Sequence, residues 1–184
     1  MQVARFVHQE LPAYGIVDGE EIVVLRSDPL FDSWDTTGER VALDDVRLLS
    51  PVIPRSKVVG IGRNYAAHAA EMGNDLPVEP LVFLKPNTSV IGPDDPIVLP
   101  PYSQEVHHEA ELAVVISRMC KFVPADRAAD VIFGYTVGND VSARDVQRTD
   151  SQWTRAKGFD TSCPIGPWIE TDLDTLSDVD GTDP

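Results

Sequence analysis

Short runs in which apolar and polar side chains alternate fill the first 26 residues, and a period of two is the mark of a strand with one buried face. QVARFV over residues 2–7 is one such run; AYGIV and EEIVVLR, within 13–26, are two more, joined by an Asp18-Gly19 turn. An Asp-Gly pair between alternating segments is a short-range hairpin signal, so a small β-rich unit is predicted. The stretch from Pro29 to Pro54 is mixed and polar, and Pro51 with Pro54 punctuates the chain just before the apolar run KVVGIG. The expected boundary falls near residue 52, with a small N-terminal β domain over 1–52 and a second, larger domain over 53–184.

Beyond that boundary the pattern predicts a strand at 57–61, a glycine-containing turn, and a short alanine-rich helix from Tyr65 to Met72. Further strands are predicted near 81–84 and 106–117, then a helix around Asp126–Ile132 that leads into the strand FGYTVGNDV. Fifteen prolines and twelve glycines spread along 184 residues favour short strands and irregular loops over a helix bundle. The predicted class is α+β, with β dominant.

Composition narrows the partners. Fifteen basic against thirty acidic residues give a net charge of −15, which repels phosphate backbones and anionic membrane surfaces. Neither nucleic acid nor membrane is an expected partner. No apolar run approaches the roughly 20 residues that a membrane-spanning helix needs, and MQVARFVHQE lacks the apolar core of a secretory leader. A cytoplasmic location is the expectation. Cys120 and Cys163 have no CxxC spacing, so they read as buried or idle thiols and are assigned neither a disulfide nor zinc.

Three acidic side chains carry the candidate chemistry. On a strand through 107–116, Glu109 and Glu111 share one face with Cα atoms about 6–7 Å apart, close enough for both carboxylates to converge on one cation. All-oxygen ligation favours Mg²⁺, Mn²⁺ or Ca²⁺ over zinc. The competing reading is the solvated outer face of an edge strand. Asp140 follows an apolar run and a Gly138-Asn139 break, where a strand end can present a third ligand to a cleft; its alternatives are a turn aspartate that caps the Ser142 or Ala143 amide, or a surface pair with Arg144. His68 and Glu71, three apart on the predicted helix, form an imidazole–carboxylate pair suited to activating water, or else a plain exposed pair. Arg63, Lys85 and Lys157 each sit beside a glycine or proline, as loop cations do, and Gln147 lies one helical turn past Arg144.

Several familiar patterns are absent. GIGRNY at 60–65 lacks the third glycine of a dinucleotide loop, and there is no GxxxxGK[ST] and no GxSxG. Asp178-Val179-Asp180-Gly181 places glycine too early for a calcium loop.

Five blocks in order, GIGRNYAAHAAEM (60–72), LVFLKP (81–86), HHEAELAVVI (107–116), GYTVGNDVSARDVQ (134–147) and TRAKGFDTSCPIGP (154–167), resemble the fumarylacetoacetate hydrolase family. The likeness is to its small acylpyruvase, oxaloacetate decarboxylase and hydroxyheptadienedioate isomerase branch. It implies a mixed β-roll behind a small N-terminal β domain, with Glu109, Glu111 and Asp140 holding Mg²⁺ or Mn²⁺. It also implies that His68 and Glu71 sit on a lid over the metal, and that Lys157, Arg144, Gln147, Arg63 and Lys85 face a small anionic 2-oxo acid. The expected activity is hydrolysis of a C–C bond in an acylpyruvate through a metal-stabilised enolate, with decarboxylation or isomerisation as alternatives on the same site. In that scheme Lys157 steadies the developing oxyanion, and His68 with Glu71 delivers water. A homodimer is implied by the likeness alone. Members normally continue through further strands and a Thr-Gly-Thr-Pro loop that this sequence lacks, so an incomplete roll is expected, and a truncated, non-catalytic member is the rival reading.

Overall fold

The computed structural model describes residues 1–62 and 78–173. The helix predicted over 65–72, with His68 and Glu71, lies outside the described residues, as do Arg63 and the end of the acidic tail.

Strands dominate, in agreement with the predicted class. Strand β1 (Gln2–His8), β2 (Leu11–Asp18) and β3 (Glu21–Leu25) form the predicted antiparallel meander, with Gly19 at a φ of +65° in the turn between β2 and β3. That left-handed value is free for glycine and costly for residues that carry a Cβ. The next strand, β4 (Thr36–Ala42), pairs with β3 inside the stretch read as mixed and polar. It escapes the periodicity because it is an edge strand with almost no buried side chain. It is fastened by charge: Arg40 Nε donates to Glu21 Oε2 at 2.7 Å, and the same guanidinium reaches Asp18.

The second half adds β5 (Leu48–Leu49), β6 (Lys57–Gly62), β7 (Leu81–Pro86), β8 (Val90–Ile91), β9 (Val106–His107), β10 (Ala110–Ile116), β11 (Ile132–Asn139), β12 (Ser142–Ala143) and β13 (Cys163–Glu170). Two short helices stand between β12 and β13, α1 (Arg144–Thr149) and α2 (Thr154–Lys157). The helix predicted around Asp126–Ile132 is present as a 3₁₀ helix over Ala125–Val131. None of its residues is buried, so no apolar contact repays the entropy of a regular helix.

One large sheet runs in the order β10-β11-β13-β1-β2-β3-β4, with β5 also on β1 and β8 also on β13. The N-terminal meander is therefore continuous with later strands through the antiparallel β1–β13 pair, Gln2 opposite Glu170 and Val3 opposite Ile169. Central position buries both faces of β1. Ala4 and Phe6 pack with Ile22 and Val24 on one side, while Val3 packs with Ile169 and Val115 on the other. Removing a side chain the size of Phe6 from water contributes roughly 1.5–3 kcal/mol. A third cluster, Ala143, Val146 and Ala156, locks α1 and α2 against β12 and so fixes the elements that carry the basic residues of the site. No helix among the described residues is long and apolar enough to cross a membrane.

Candidate active site

The β10–β11 ladder sets Ala110 opposite Asn139 and Glu111 opposite Gly138. One step beyond its end, the chain keeps the two strands together: the Asp140 N–H donates to the Glu109 carbonyl at 2.9 Å, and the Glu109 N–H donates to Asn139 Oδ1 at 3.0 Å. Two carboxylates are thereby seated side by side at a strand end by one main-chain bond and one bond to the Asn139 side chain.

Both turn inward. Asp140 is buried, and Glu109 and Glu111 are half-buried, whereas the outward positions of β10 carry exposed Leu112, Val114 and Ile116. The glutamates are thus on the inner side of this ribbon and not on a solvated outer face. Glu111 projects on the same side as Ala113 and Val115, both at least partly buried.

Basic groups converge on the pair. Lys157, at the end of α2 and only 3% exposed, donates from Nζ to Asp140 Oδ2 at 2.5 Å, Ser142 Oγ at 2.7 Å and Glu109 Oε2 at 3.0 Å. Lys85, on β7 and 2% exposed, donates to Asp140 Oδ1 at 2.6 Å and to the Lys157 carbonyl. Ser162 Oγ donates to that same carbonyl at 2.9 Å. The Arg144 guanidinium pairs with Glu109 Oε1 and also donates to Gln147 Oε1 at 2.9 Å.

Asp140 therefore neither caps a neighbouring amide nor pairs with Arg144; its two oxygens belong to two lysines. Burial would by itself raise the pKa of Glu109, but the charge and hydrogen bond of Lys157, with the charge of Arg144, outweigh it and hold the carboxyl below its ordinary value. Burial pushes the Cys163 thiol up to about 11, which removes it as a nucleophile near neutral pH. Cys120 is exposed and free.

Aromatic side chains that the sequence pattern left unremarked complete one wall. The Lys157 ammonium lies 5.1 Å from the Phe83 ring and 5.9 Å from the Trp153 ring, and the two rings meet edge to face at 5.7 Å. Each is seated on a glycine of β6: a Cβ at Gly60 would fall 2.2 Å from Phe83 Cζ, and one at Gly62 would fall 2.9 Å from Trp153 Cζ3. Ser142 and Ser162 were also missed. All four sit inside or one residue outside the sequence blocks already singled out, but only tertiary register shows that they meet one ammonium.

Of the predicted site residues, the structure brings together Glu109, Asp140, Lys157, Lys85, Arg144 and Gln147. Lys85, expected to face a substrate, is enclosed and engaged by protein groups. His68, Glu71 and Arg63 are outside the described residues. No three His, Cys, Asp or Glu side chains among the described residues gather into a metal-holding group, so Glu109 and Asp140 converge as a pair. The donor chemistry nonetheless fits a hard divalent cation: two carboxylates and a hydroxyl already surround one positive charge, and they are oxygen donors throughout. Two open clefts lie elsewhere, one against Arg5, Ser50 and Asn87 and one against Asp94, Val137 and Pro167. Neither is lined by Glu109, Asp140 or Lys157.

A strand-end carboxylate pair ringed by lysine and arginine, on a β-dominant scaffold, is the candidate site for a small molecule. Residues 57–181 match the family model described as fumarylacetoacetate (FAA) hydrolase, C-terminal, and residues 1–51 match one described as Rv2993c-like, N-terminal. The chain belongs to the fumarylacetoacetate hydrolase family. It is 50% identical to protein Rv2993c of Mycobacterium tuberculosis over 186 residues, covering 98% of this chain and 70% of the relative. The crystal structure of a 5-carboxymethyl-2-hydroxymuconate delta-isomerase from Mycobacterium smegmatis superposes with a TM-score of 0.84 at 51% identity, covering 95% of this chain and 68% of that one. A maleylpyruvate hydrolase from Sphingobium sp. SYK-6, solved with manganese(II) and pyruvate, superposes with a TM-score of 0.70 at 32% identity, covering 94% and 67%. The chain spans about half the length of other relatives, 52% and 51% of two proteins from Pyrococcus. Members of this family are enzymes, and the named relatives include isomerases and hydrolases.

Proposed function

We propose that the chain carries the site of a divalent-metal-dependent enzyme that interconverts keto and enol forms of a small 2-oxo acid. The observation that carries this reading is the convergence of Glu109 and Asp140 on a single buried positive charge, with Lys85 and Arg144 closing the ring.

Glu109 and Asp140, with Glu111 from the neighbouring inward position, would hold Mg²⁺ or Mn²⁺, with Ca²⁺ as a further fit. When bound, such an ion supplies Lewis-acid polarisation of the 2-oxo group. Lys157 is placed to donate to the oxygen on which enolate charge builds. A donor of that kind is worth about 2.7–4 kcal/mol of barrier. Arg144 offers a planar fork for a substrate carboxylate, and Gln147 fixes the direction of that fork through its amide oxygen. Lys85 balances the charge of Asp140 from the side away from Lys157. Phe83 and Trp153 exclude water beside the ammonium, which strengthens its charge interactions.

Identity of 51% to an isomerase supports this reading first. Hydrolysis of an acylpyruvate is the second reading, supported by the maleylpyruvate hydrolase that binds manganese and pyruvate. It needs a water-activating base, for which His68 assisted by Glu71 is the candidate.

A panel of substrates separates the two. With Mg²⁺ or Mn²⁺ supplied, the chain should accelerate ketonisation of enol-oxaloacetate or isomerisation of an unsaturated hydroxy diacid, followed by ultraviolet absorbance. Replacement of His68 by Ala should leave that rate within about threefold and abolish any acylpyruvate cleavage. Cleavage without isomerisation would favour the hydrolase. Inactivity on every substrate, with the fold verified, would overturn both and support the non-catalytic reading.

A further inference from the structure

We propose that Lys157 is a resident stand-in for the divalent cation: its ammonium occupies the point on which Glu109 and Asp140 converge and yields that point when the ion enters. The inference rests on the metal-site reading above and adds to it a built-in competitor.

The geometry of the ammonium is that of a coordinated ion. Three oxygens, from Asp140, Ser142 and Glu109, lie 2.5–3.0 Å from Nζ. A dication held by the same two carboxylates would meet that ammonium at contact distance, where like charges repel strongly in a buried site. One of the two must leave.

The two lysines on Asp140 differ in their freedom to do so. Lys85, on β7, is bonded at once to Asp140 Oδ1, just after β11, and to the Lys157 main-chain carbonyl at the end of α2, so it ties three elements together and remains in place. Among the described residues, the Lys157 ammonium is bound only to side-chain oxygens, on a flexible four-carbon stem. A second resting place adjoins it: the faces of Phe83 and Trp153, already 5.1 and 5.9 Å away, attract a displaced cation. The exchange also moves the ammonium out of the carboxylate pair only when the ion is present, which couples metal loading to presentation of Lys157 for catalysis.

Manganese binding to the 184-residue chain, measured by calorimetry, tests the exchange. Lys157→Met removes the competitor and should tighten Mn²⁺ binding by at least about tenfold, equivalent to about 1.4 kcal/mol, while Lys157→Arg should stay near the wild-type affinity. The metal-free Lys157→Met variant should melt below wild type, and saturating Mn²⁺ should narrow that gap. Wild-type binding that is lost in Glu109→Gln but unchanged or weakened in Lys157→Met would overturn the exchange and leave the metal site standing. No binding by wild type or by folded Lys157→Met would overturn the metal site and the exchange together. Should Lys157→Met fail to fold, acetylation of the wild-type chain gives the answer: Mn²⁺ should raise labelling of Lys157 relative to exposed Lys57 and Lys121, and no change would overturn the exchange.

Discussion

Asp140→Asn should cost about 3–5 kcal/mol of folding stability and abolish turnover, read as urea-unfolding midpoints by circular dichroism beside the isomerisation assay. The substitution keeps size and shape but removes the only charge among the described residues that both buried lysines share. Lys85 at 2% exposure and Lys157 at 3% then face an amide whose NH₂ group points at an ammonium. Breaking a buried ionic cluster at one partner leaves the others desolvated without compensation, and that penalty exceeds the worth of the contact itself. A stability loss under about 1 kcal/mol would mean that the lysines find other partners and that Asp140 is no hub.

Glu109→Gln should have the opposite balance of effects. The Glu109 side chain is 21% exposed, and Lys157 retains Asp140 and Ser142 when it is neutralised, so solvent screening holds the stability loss to about 1 kcal/mol. Turnover should fall at least about 10²–10³-fold, because a ligand charge and the anchor of Arg144 vanish together. Steady-state kinetics at saturating metal are the check. Near-normal kcat in the folded variant would remove Glu109 from the chemistry.

These residues were unequally legible in the sequence. The inward orientation of Glu109 and Glu111 follows from a period of two, and it survives even though β10 begins only at Ala110. The hairpin at Asp18-Gly19 and the strand before Asp140 follow from the same rule. Lys85 does not. On β7 the apolar Val82 and Leu84 are 56% and 50% exposed while the lysine is enclosed, the reverse of what alternation alone suggests. Burial of that lysine depends on Asp140 and the Lys157 carbonyl, more than fifty residues further along. Nor could periodicity show which base meets which acid: Arg144 lies four residues from Asp140, a spacing that suits a pair, yet the turn of α1 carries it to Glu109. β4 was missed for a related reason, since an edge strand held by Arg40 to Asp18 and Glu21 has no hydrophobic face to read.

The proposed position of the metal ion is the place held by the Lys157 ammonium. A crystal of the chain soaked in MnCl₂ and measured at the manganese absorption edge would locate it. An anomalous peak is expected at coordination distance, about 2 Å, from carboxylate oxygens of both Glu109 and Asp140, with the Lys157 ammonium withdrawn. A peak elsewhere, or none with Mn²⁺ well above millimolar, would contradict that position.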